Sequence, residues 1–298
     1  MASVEEIKND PNYRVVHEHG FVGLVDSMGS DGAIARAART SYQKGTKSVN
    51  DDRTLIRYLV RHMHTSPLEM GELVFHIKLP IFVMRQLVRH RTASLNEVSA
   101  RYSELPAEFY VPDFDYIQPQ STTNKQGREG VIVDGHKSMV QSLIEDAHRK
   151  AYELYQKLLE TGTFGPSYPG LSRELGRIVL PVSIYTECFF KMDLKNFLHM
   201  CNLRLDKHAQ REIRDFAEIM YEFAKEKFPI VCEAFEDYQL NAKTFSRMDL
   251  ELLKGLIGPS ATFCDIDGCV DAEKLSSAAN KLGMSKREIT EFMEFINA

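Results

Sequence analysis

The chain has 298 residues, of which 43% are hydrophobic and 27% are charged, and its formal net charge is −5 at pH 7. This size and composition predict a globular protein with one large domain, or a large domain and a small one. The negative charge argues against a protein that coats DNA or RNA, because nonspecific affinity for nucleic acid comes from a basic surface. No apolar run reaches about 18 residues and no signal-peptide pattern opens the chain, so we expect a cytoplasmic protein without a membrane span.

Hydrophobic periodicity predicts both strands and helices in the first 240 residues. Alternation of apolar and polar residues predicts a strand over 73–79. A short apolar stretch rich in β-branched and aromatic residues predicts another strand over 182–190. Helical spacing predicts helices over 51–64, 80–90, 140–158 and, with breaks near 206 and 229, 193–238. A polar segment at 118–130 predicts a surface loop. Long helices packed on a small mixed or antiparallel sheet define an α+β domain.

The segment after residue 240 carries a pattern of its own, with three short amphipathic stretches. We therefore predict a main domain over 1–240 and a small helical C-terminal extension over 241–298. Asp265 and Asp267 resemble the start of a calcium loop, but later acidic residues miss the required spacing, so a plain turn is favoured. Cys264 and Cys269 lack a second pair of ligands nearby, so no metal site is predicted. Five cysteines in a long chain suit a reducing compartment.

Residues 89–103 concentrate the chemistry of the chain. They contain three arginines, a histidine, Asn96, Glu97 and four hydroxyl-bearing residues. Each guanidinium presents a rigid fork of donors that matches a phosphate, while the amide and carboxylate can accept from a base or ribose. The segment therefore predicts a pocket for a phosphorylated nucleoside.

The same segment reads Arg-His-Arg, seven further residues, then Ser99, Arg101 and Tyr102, which resembles the signature of the flavin-dependent thymidylate synthases. The resemblance covers about residues 20–238 and includes blocks at 36–42, 64–69, 80–86, 173–181 and 202–210. It implies reductive methylation of dUMP to dTMP with 5,10-methylenetetrahydrofolate as one-carbon donor, FAD as hydride carrier and NADPH as reductant. It also implies a homotetramer that holds FAD across its subunit interfaces. Neither a Gly-x-Gly-x-x-Gly motif nor a P-loop is present, so the flavin must be held in another way.

The resemblance assigns site residues by position. The positions matching FAD contacts are Ser41, Ser66, Glu69, Arg89, His90, Arg91, Glu97, Asp193, Lys195 and His199. The positions matching dUMP contacts are Gln86, Arg89, Glu97, Val98, Ser99, Ala100, Arg101, Arg177 and Arg204, with backbone N–H groups of 98–101 at the phosphate. Arg204 is the expected catalytic residue, because a guanidinium at the uracil edge stabilises charge developing at N3 and O4.

Two positions depart from the family pattern. Asp193 stands where some members carry Asn, and Met70 stands where some carry His. Asp193 has a purely structural alternative as the N-cap of the following helix. Arg177 likewise could form a surface salt bridge without binding a ligand.

Three other functions are weighed against this one. Ser99 could be a nucleophile with His90 or His208 as its base, but its arginine neighbours suggest no triad. An RNA-binding module could use the arginines on phosphodiesters, although the net charge opposes it. A metal phosphohydrolase could be built on His62, His64, Glu69, Asp206 and His208.

Overall fold

The computed structural model describes residues 1–40, 49–123, 125–257, 271–282, 284 and 286–297. The chain divides into two compact units, Met1–Leu240 and Asn241–Ala298. The predictions made for Ser41, Cys264, Cys269 and the acidic turn at 265–268 lie outside the described residues.

A five-stranded sheet lies within the first unit, and all of its strand pairs are antiparallel. The strands are β1 (Tyr13–Val16), β2 (Gly20–Met28), β3 (Glu72–Pro80), β4 (Ser94–Glu97) and β5 (Tyr185–Asp193). Their order across the sheet is β1, β2, β3, β5, β4, so β3 and β5 are interior strands and β4 lies at an edge. The predicted α+β class is confirmed, with an antiparallel sheet instead of a mixed one.

Twelve α-helices occur within the described residues. Those of the first unit are α1 (Val4–Ile7), α2 (Asp31–Arg39), α3 (Val49–Arg61), α4 (Ile81–Leu87), α5 (Asp134–Leu159), α6 (Arg173–Gly176), α7 (Leu194–Arg204), α8 (Arg211–Lys227) and α9 (Pro229–Phe235). Those of the second unit are α10 (Arg247–Ile257), α11 (Ala272–Lys281) and α12 (Lys286–Asn297).

One hydrophobic cluster joins the sheet to the helices of the first unit. Ile34 of α2, Ile56 of α3, Phe197 of α7, Phe216 of α8 and Phe235 of α9 all belong to it. Each of these side chains is at most 1% exposed. Since α7 follows β5 directly and packs into this cluster, both ends of α7 have fixed positions relative to the sheet.

Both faces of strand β3 are buried, although one of them carries the polar side chains of the alternating sequence. His76 is 9% exposed and Lys78 only 1% exposed. His76 Nε2 lies 2.7 Å from Glu187 Oε1, and Lys78 Nζ lies 2.7 Å from Glu108 Oε2. Buried ionisable groups are tolerated when they are paired and hydrogen-bonded. These pairs therefore allow the polar face of the central strand to be covered.

The arginine-rich segment begins in a turn and continues into a strand. Helix α4 ends at Leu87, so residues 89–91 follow the helix, whereas the pattern predicted a helix through His90. Strand β4 was not predicted, because all four of its residues are exposed and alternation gives no signal without a buried face. Strand β5 begins only at Tyr185, because residues 182 and 184 bond through their carbonyls to the first turn of α4.

The second unit has a small core formed by its own helices. Leu252 of α10, Leu275 and Ala279 of α11, Phe292 of α12 and Met284, which precedes α12, are all at most 5% exposed. The three helices coincide with the three amphipathic stretches predicted after residue 240. In neither unit does a described helix have the length and apolar character needed to cross a membrane.

Candidate active site

Arg204 lies in the last turn of α7, and two hydrogen bonds hold its half-buried guanidinium. Its Nε donates to Nε2 of His90 over 2.9 Å, and its Nη2 donates to the backbone carbonyl of Gln86 over 3.2 Å. The Gln86 side chain donates in turn to Oε1 of Gln210 over 2.5 Å. A guanidinium has five N–H donors, so two are used here and three remain for a ligand. The end of α4 and the end of α7 together orient this arginine.

His90 is the buried partner of this pair, with 8% of its surface exposed. Burial lowers the pKa of His90 to about 4, and the nearby charges of Arg204 and His199 act in the same direction. An arginine Nε only donates, so Nε2 of His90 accepts and the ring proton is on Nδ1. His90 is therefore neutral at pH 7 and offers hydrogen bonding, not the positive charge of a phosphate anchor. Burial also lowers the pKa of Arg204, but a guanidinium remains charged.

Arg89 and Arg91 flank His90 and have the opposite character. Both side chains are exposed in the turn between α4 and β4. Neither forms an ion pair with any acidic group in the described part of the chain. Two adjacent guanidinium groups without protein counterions form a donor set suited to phosphate oxygens.

Beyond β4, the chain presents a second group of predicted residues. Glu97 Oε1 accepts a hydrogen bond of 2.7 Å from the Thr186 hydroxyl, which fixes the carboxylate at the sheet edge. The Val98 N–H donates to the Glu187 carbonyl over 2.9 Å, so it is already used within the fold. Among the described residues, the N–H groups of Ser99 and Ala100 have no protein acceptor. Of the backbone N–H groups of residues 98–101 that were predicted to contact the phosphate, those of Ser99 and Ala100 remain available.

Ser99, Arg101 and Arg177 lie around the same loop. The Ser99 hydroxyl oxygen is 3.4 Å from the Arg101 backbone nitrogen, and Arg101 lies over the Tyr102 ring at 5.5 Å. Helix α6 is held against this loop, because Arg173 Nη1 donates to the Tyr102 carbonyl over 3.4 Å. Arg177 follows α6, is exposed and has no carboxylate partner among the described residues. No salt bridge of Arg177 is therefore formed among the described residues of this chain.

A third group lies where β5 passes into α7. Asp193 caps α7, since its carboxylate accepts from the backbone and side-chain nitrogens of Asn196 over 2.9 and 2.6 Å. The structural alternative for Asp193 is thus confirmed, and Asn196 occupies both of its oxygens. The Leu194 N–H donates to the Gly71 carbonyl, which brings the 3₁₀ turn Ser66–Met70 beside the helix. Ser66 and Glu69 of that turn are exposed, as is His199, and Lys195 is half-buried.

Strand β4 separates the predicted flavin-binding residues from the loop around Ser99. Ser94 pairs with Lys191 near the α7 end of β5, and Glu97 pairs with Cys188 farther from it. Three steps of about 3.4 Å separate the first and last residues of the strand, so its two ends lie roughly 10 Å apart. The arginines of residues 89–91 and the start of α7 are thus at one end, and Ser99 and Arg101 at the other.

The nucleophile and metal alternatives find no geometric support. Ser99 contacts Arg101, while His90 is engaged by Arg204 and His208 Nδ1 is 2.7 Å from Asp206 Oδ1, so no base reaches the hydroxyl. Within the described ranges, no three His, Cys, Asp or Glu side chains form a group that could hold a metal ion. Burial raises the pKa of the Cys188 thiol to about 12, so this cysteine is a poor nucleophile.

Two residues that form hydrogen bonds with the predicted site residues were not identified from the sequence. Thr186, which holds Glu97, is one residue of a buried strand and carries no distinguishing pattern. Gln210 belongs to a block that supported the family resemblance, but no role was assigned to it. Long-range side-chain pairs of this kind have no periodic signal in a single sequence.

The fold and this site define an α+β protein whose candidate site is rich in arginine. The family model of the thymidylate synthase complementing protein, Thy1, matches residues 23–230. A flavin-dependent thymidylate synthase of Rickettsia bellii (strain RML369-C) is 44% identical over 99% of this chain and 97% of its own length. Another, of Wolbachia pipientis wMel, is 48% identical over 81% of this chain and 82% of its own.

Solved structures agree with these matches. The UMP/dUMP methylase PolB from Streptomyces cacaoi, solved with 5-Br UMP, is 35% identical and superposes with a TM-score of 0.65. That match covers 77% of this chain and 99% of PolB, and the complex with 5-Br dUMP gives a TM-score of 0.67. The chain belongs to the Thy1 family, and the resemblance to flavin-dependent thymidylate synthases is confirmed.

Proposed function

We propose that this protein is a cytosolic enzyme that converts dUMP to dTMP by flavin-dependent reductive methylation. The one-carbon donor is 5,10-methylenetetrahydrofolate, NADPH is the reductant, and FAD is held across the interfaces of a homotetramer. Family membership supports the reaction class. The name of PolB, a UMP/dUMP methylase, supports a uridine monophosphate as the substrate.

The observation that carries the proposal is the orientation of Arg204. Its guanidinium is half-buried, fixed on one side by His90 and Gln86, and retains three free donors. Partial burial strengthens its interaction with developing negative charge, because the local dielectric constant is lower than that of water. Donors directed at O4 and N3 of uracil would polarise the ring at C5 and C6, where the new bonds form.

The phosphate of dUMP fits the loop around Ser99. The N–H groups of Ser99 and Ala100 lack protein acceptors, and the guanidinium groups of Arg101 and Arg177 have no carboxylate partner within the described residues. Successive backbone N–H groups with charge-assisted donors form a typical anion-binding site. Glu97, held by Thr186, remains available to accept from the ribose or the base.

The donors near α7 fit the diphosphate of FAD. Arg89 and Arg91 are exposed without counterions, and Lys195 and His199 lie one helical turn apart beside them. When bound, FAD supplies the hydride that the methylene group needs to become a methyl group. The residues of this chain bind its phosphates and place dUMP, while Arg204 orients the uracil ring.

Exposed apolar side chains support the homotetramer. Met139 and Leu143 of α5 are 62% and 59% exposed. Ile178 and Val182, next to Arg177, are 74% and 61% exposed. Patches of this kind mark association surfaces. An interface beside Arg177 also accounts for the separation of the two groups of site residues along β4.

The proposal is tested by incubating the purified protein with dUMP, methylenetetrahydrofolate, FAD and NADPH, and measuring dTMP by mass spectrometry. Parallel reactions omit one component each, and UMP replaces dUMP in a further reaction. We expect dTMP only when dUMP, methylenetetrahydrofolate and NADPH are all present and the protein carries flavin, either bound on purification or added. If dTMP forms without flavin, or none forms in the complete mixture while the protein is folded, the proposal is wrong.

A further inference from the structure

His90 stands in the middle of the arginine-rich segment, where the family resemblance suggested a role at the phosphates of FAD. Its environment differs from that of its two neighbours. Arg89 and Arg91 are exposed, whereas His90 is 8% exposed and directed towards α7. Its contact there is with Arg204, 114 residues farther along the chain.

The hydrogen bond between the two residues has only one possible direction. The Nε of Arg204 is a donor and lies 2.9 Å from Nε2 of His90, so the imidazole accepts and its proton is on Nδ1. A protonated ring could not accept this bond and would place a second positive charge beside the guanidinium. The lowered pKa of His90 agrees with this geometry.

The contact restricts the orientation of the guanidinium plane. One bond from Nε to His90 and one from Nη2 to the Gln86 carbonyl fix two points of a planar group. The Gln86 carbonyl cannot do this alone, because one hydrogen bond still permits rotation of the plane. With both hydrogen bonds, the guanidinium plane is fixed, and so are the directions of its three free N–H donors.

We propose that His90 is a positioning residue, which fixes Arg204 through an Nε2 acceptor so that its free donors meet the uracil edge. The inference rests on the proposed role of Arg204 in the reaction. The inference differs from the assignment made by the resemblance, because it places His90 on the dUMP side of the site and not at the phosphates of FAD.

The test uses two substitutions at His90 in the full-length protein. His90→Leu removes the acceptor at similar volume, and His90→Gln retains an oxygen that can accept from Arg204. We expect His90→Leu to lower kcat by about tenfold to a hundredfold, as for a misplaced catalytic group. We expect His90→Gln to recover most of this loss, and both variants to keep the flavin content of the parent protein. Loss of flavin from His90→Leu would show a cofactor anchor and overturn the inference.

A double-mutant cycle with Arg204→Ala isolates the coupling between the two residues. If His90 acts only through Arg204, His90→Leu should change kcat by less than about twofold in the Arg204→Ala background. Fold-losses that multiply in the double variant would overturn the inference. If Arg204→Ala alone keeps full activity, the proposed role of Arg204 fails, and this inference fails with it. If Arg204→Ala is impaired while His90→Leu is fully active, only the role of His90 is refuted.

Discussion

Replacement of Arg204 by alanine should separate catalysis from cofactor binding and from folding. The substitution removes the donors proposed to stabilise charge on the uracil ring. Loss of one such donor typically costs about 3 kcal/mol, or roughly a hundredfold in kcat. It also leaves Nε2 of His90 without its partner in a buried position. An unsatisfied buried acceptor costs about 1–3 kcal/mol of stability, which lowers the Tm by several degrees.

The expected loss of stability in Arg204→Ala is too small to unfold the protein, so a loss of activity would reflect catalysis. A folded protein is stable by about 5–15 kcal/mol, so a loss of about 1–3 kcal/mol leaves most of the molecules folded at 25 °C. Arg204→Ala should therefore retain flavin and a cooperative melting transition while forming dTMP about a hundredfold more slowly. Arg149→Ala is the matched control, since Arg149 is exposed and, among the residues that the structure describes, its ion pairs are with Asp146 and Glu153 of its own helix. Turnover of Arg204→Ala within about threefold of the parent would refute the catalytic role.

Three further predictions follow from the same structure. Because the pKa of His90 is about 4 when folded and about 6.5 when unfolded, the free energy of unfolding should fall by about 3 kcal/mol between pH 6.5 and 4. In His90→Gln, the free energy of unfolding should fall by about 3 kcal/mol less over this pH range, which chemical denaturation at each pH measures. If the variant and the parent show the same dependence of unfolding free energy on pH, this prediction is wrong. Ser99→Ala should lose about 1 kcal/mol, or roughly fivefold in rate, and a covalent nucleotide on Ser99 would overturn this expectation. Deletion of residues 245–298 should leave a flavin-containing, active protein with a lower Tm, and a folded but colourless product would show that the extension reaches the site.

The expected result of this deletion rests on where the matches to known proteins end along the chain. The Thy1 family model stops at residue 230, before the second unit begins, and PolB is matched by 77% of this chain. The second unit has its own core around Leu275 and Phe292. At about 58 residues, such a unit is near the lower limit of autonomous stability. A loss of Tm on deletion is therefore compatible with an unchanged site.

Sequence patterns predicted the elements that have a regular apolar face. The strand over 73–79 and the three helices of the C-terminal unit are present in the structure. Strand β4 was missed, because an exposed edge strand of four residues has no periodic signal. The long helix α5 was predicted, although it begins at Asp134 and not near 140. Leu143 and Leu154 of its apolar pattern are 59% and 44% exposed, because periodicity does not say which residues of a helix are covered.

The candidate site was inferred from residue type and spacing, which do not show which of its residues are in contact. The arginines at 89, 91, 101 and 177 are free of carboxylates in the described structure, as a phosphate site requires. The contact between His90 and Arg204 joins two segments 114 residues apart, and no local pattern encodes it. The resemblance assigned His90 only to FAD, whereas in the structure its Nε2 accepts from Arg204.

The visible absorbance spectrum of the purified protein tests the central claim most directly. A flavin-dependent enzyme of this family should show the two absorbance bands of oxidised flavin, at a content near one FAD per chain after reconstitution. Addition of NADPH under anaerobic conditions should bleach these bands, and dUMP with methylenetetrahydrofolate should restore them. A folded protein that binds no flavin, or whose reduced flavin is not reoxidised by the two substrates, would contradict the account.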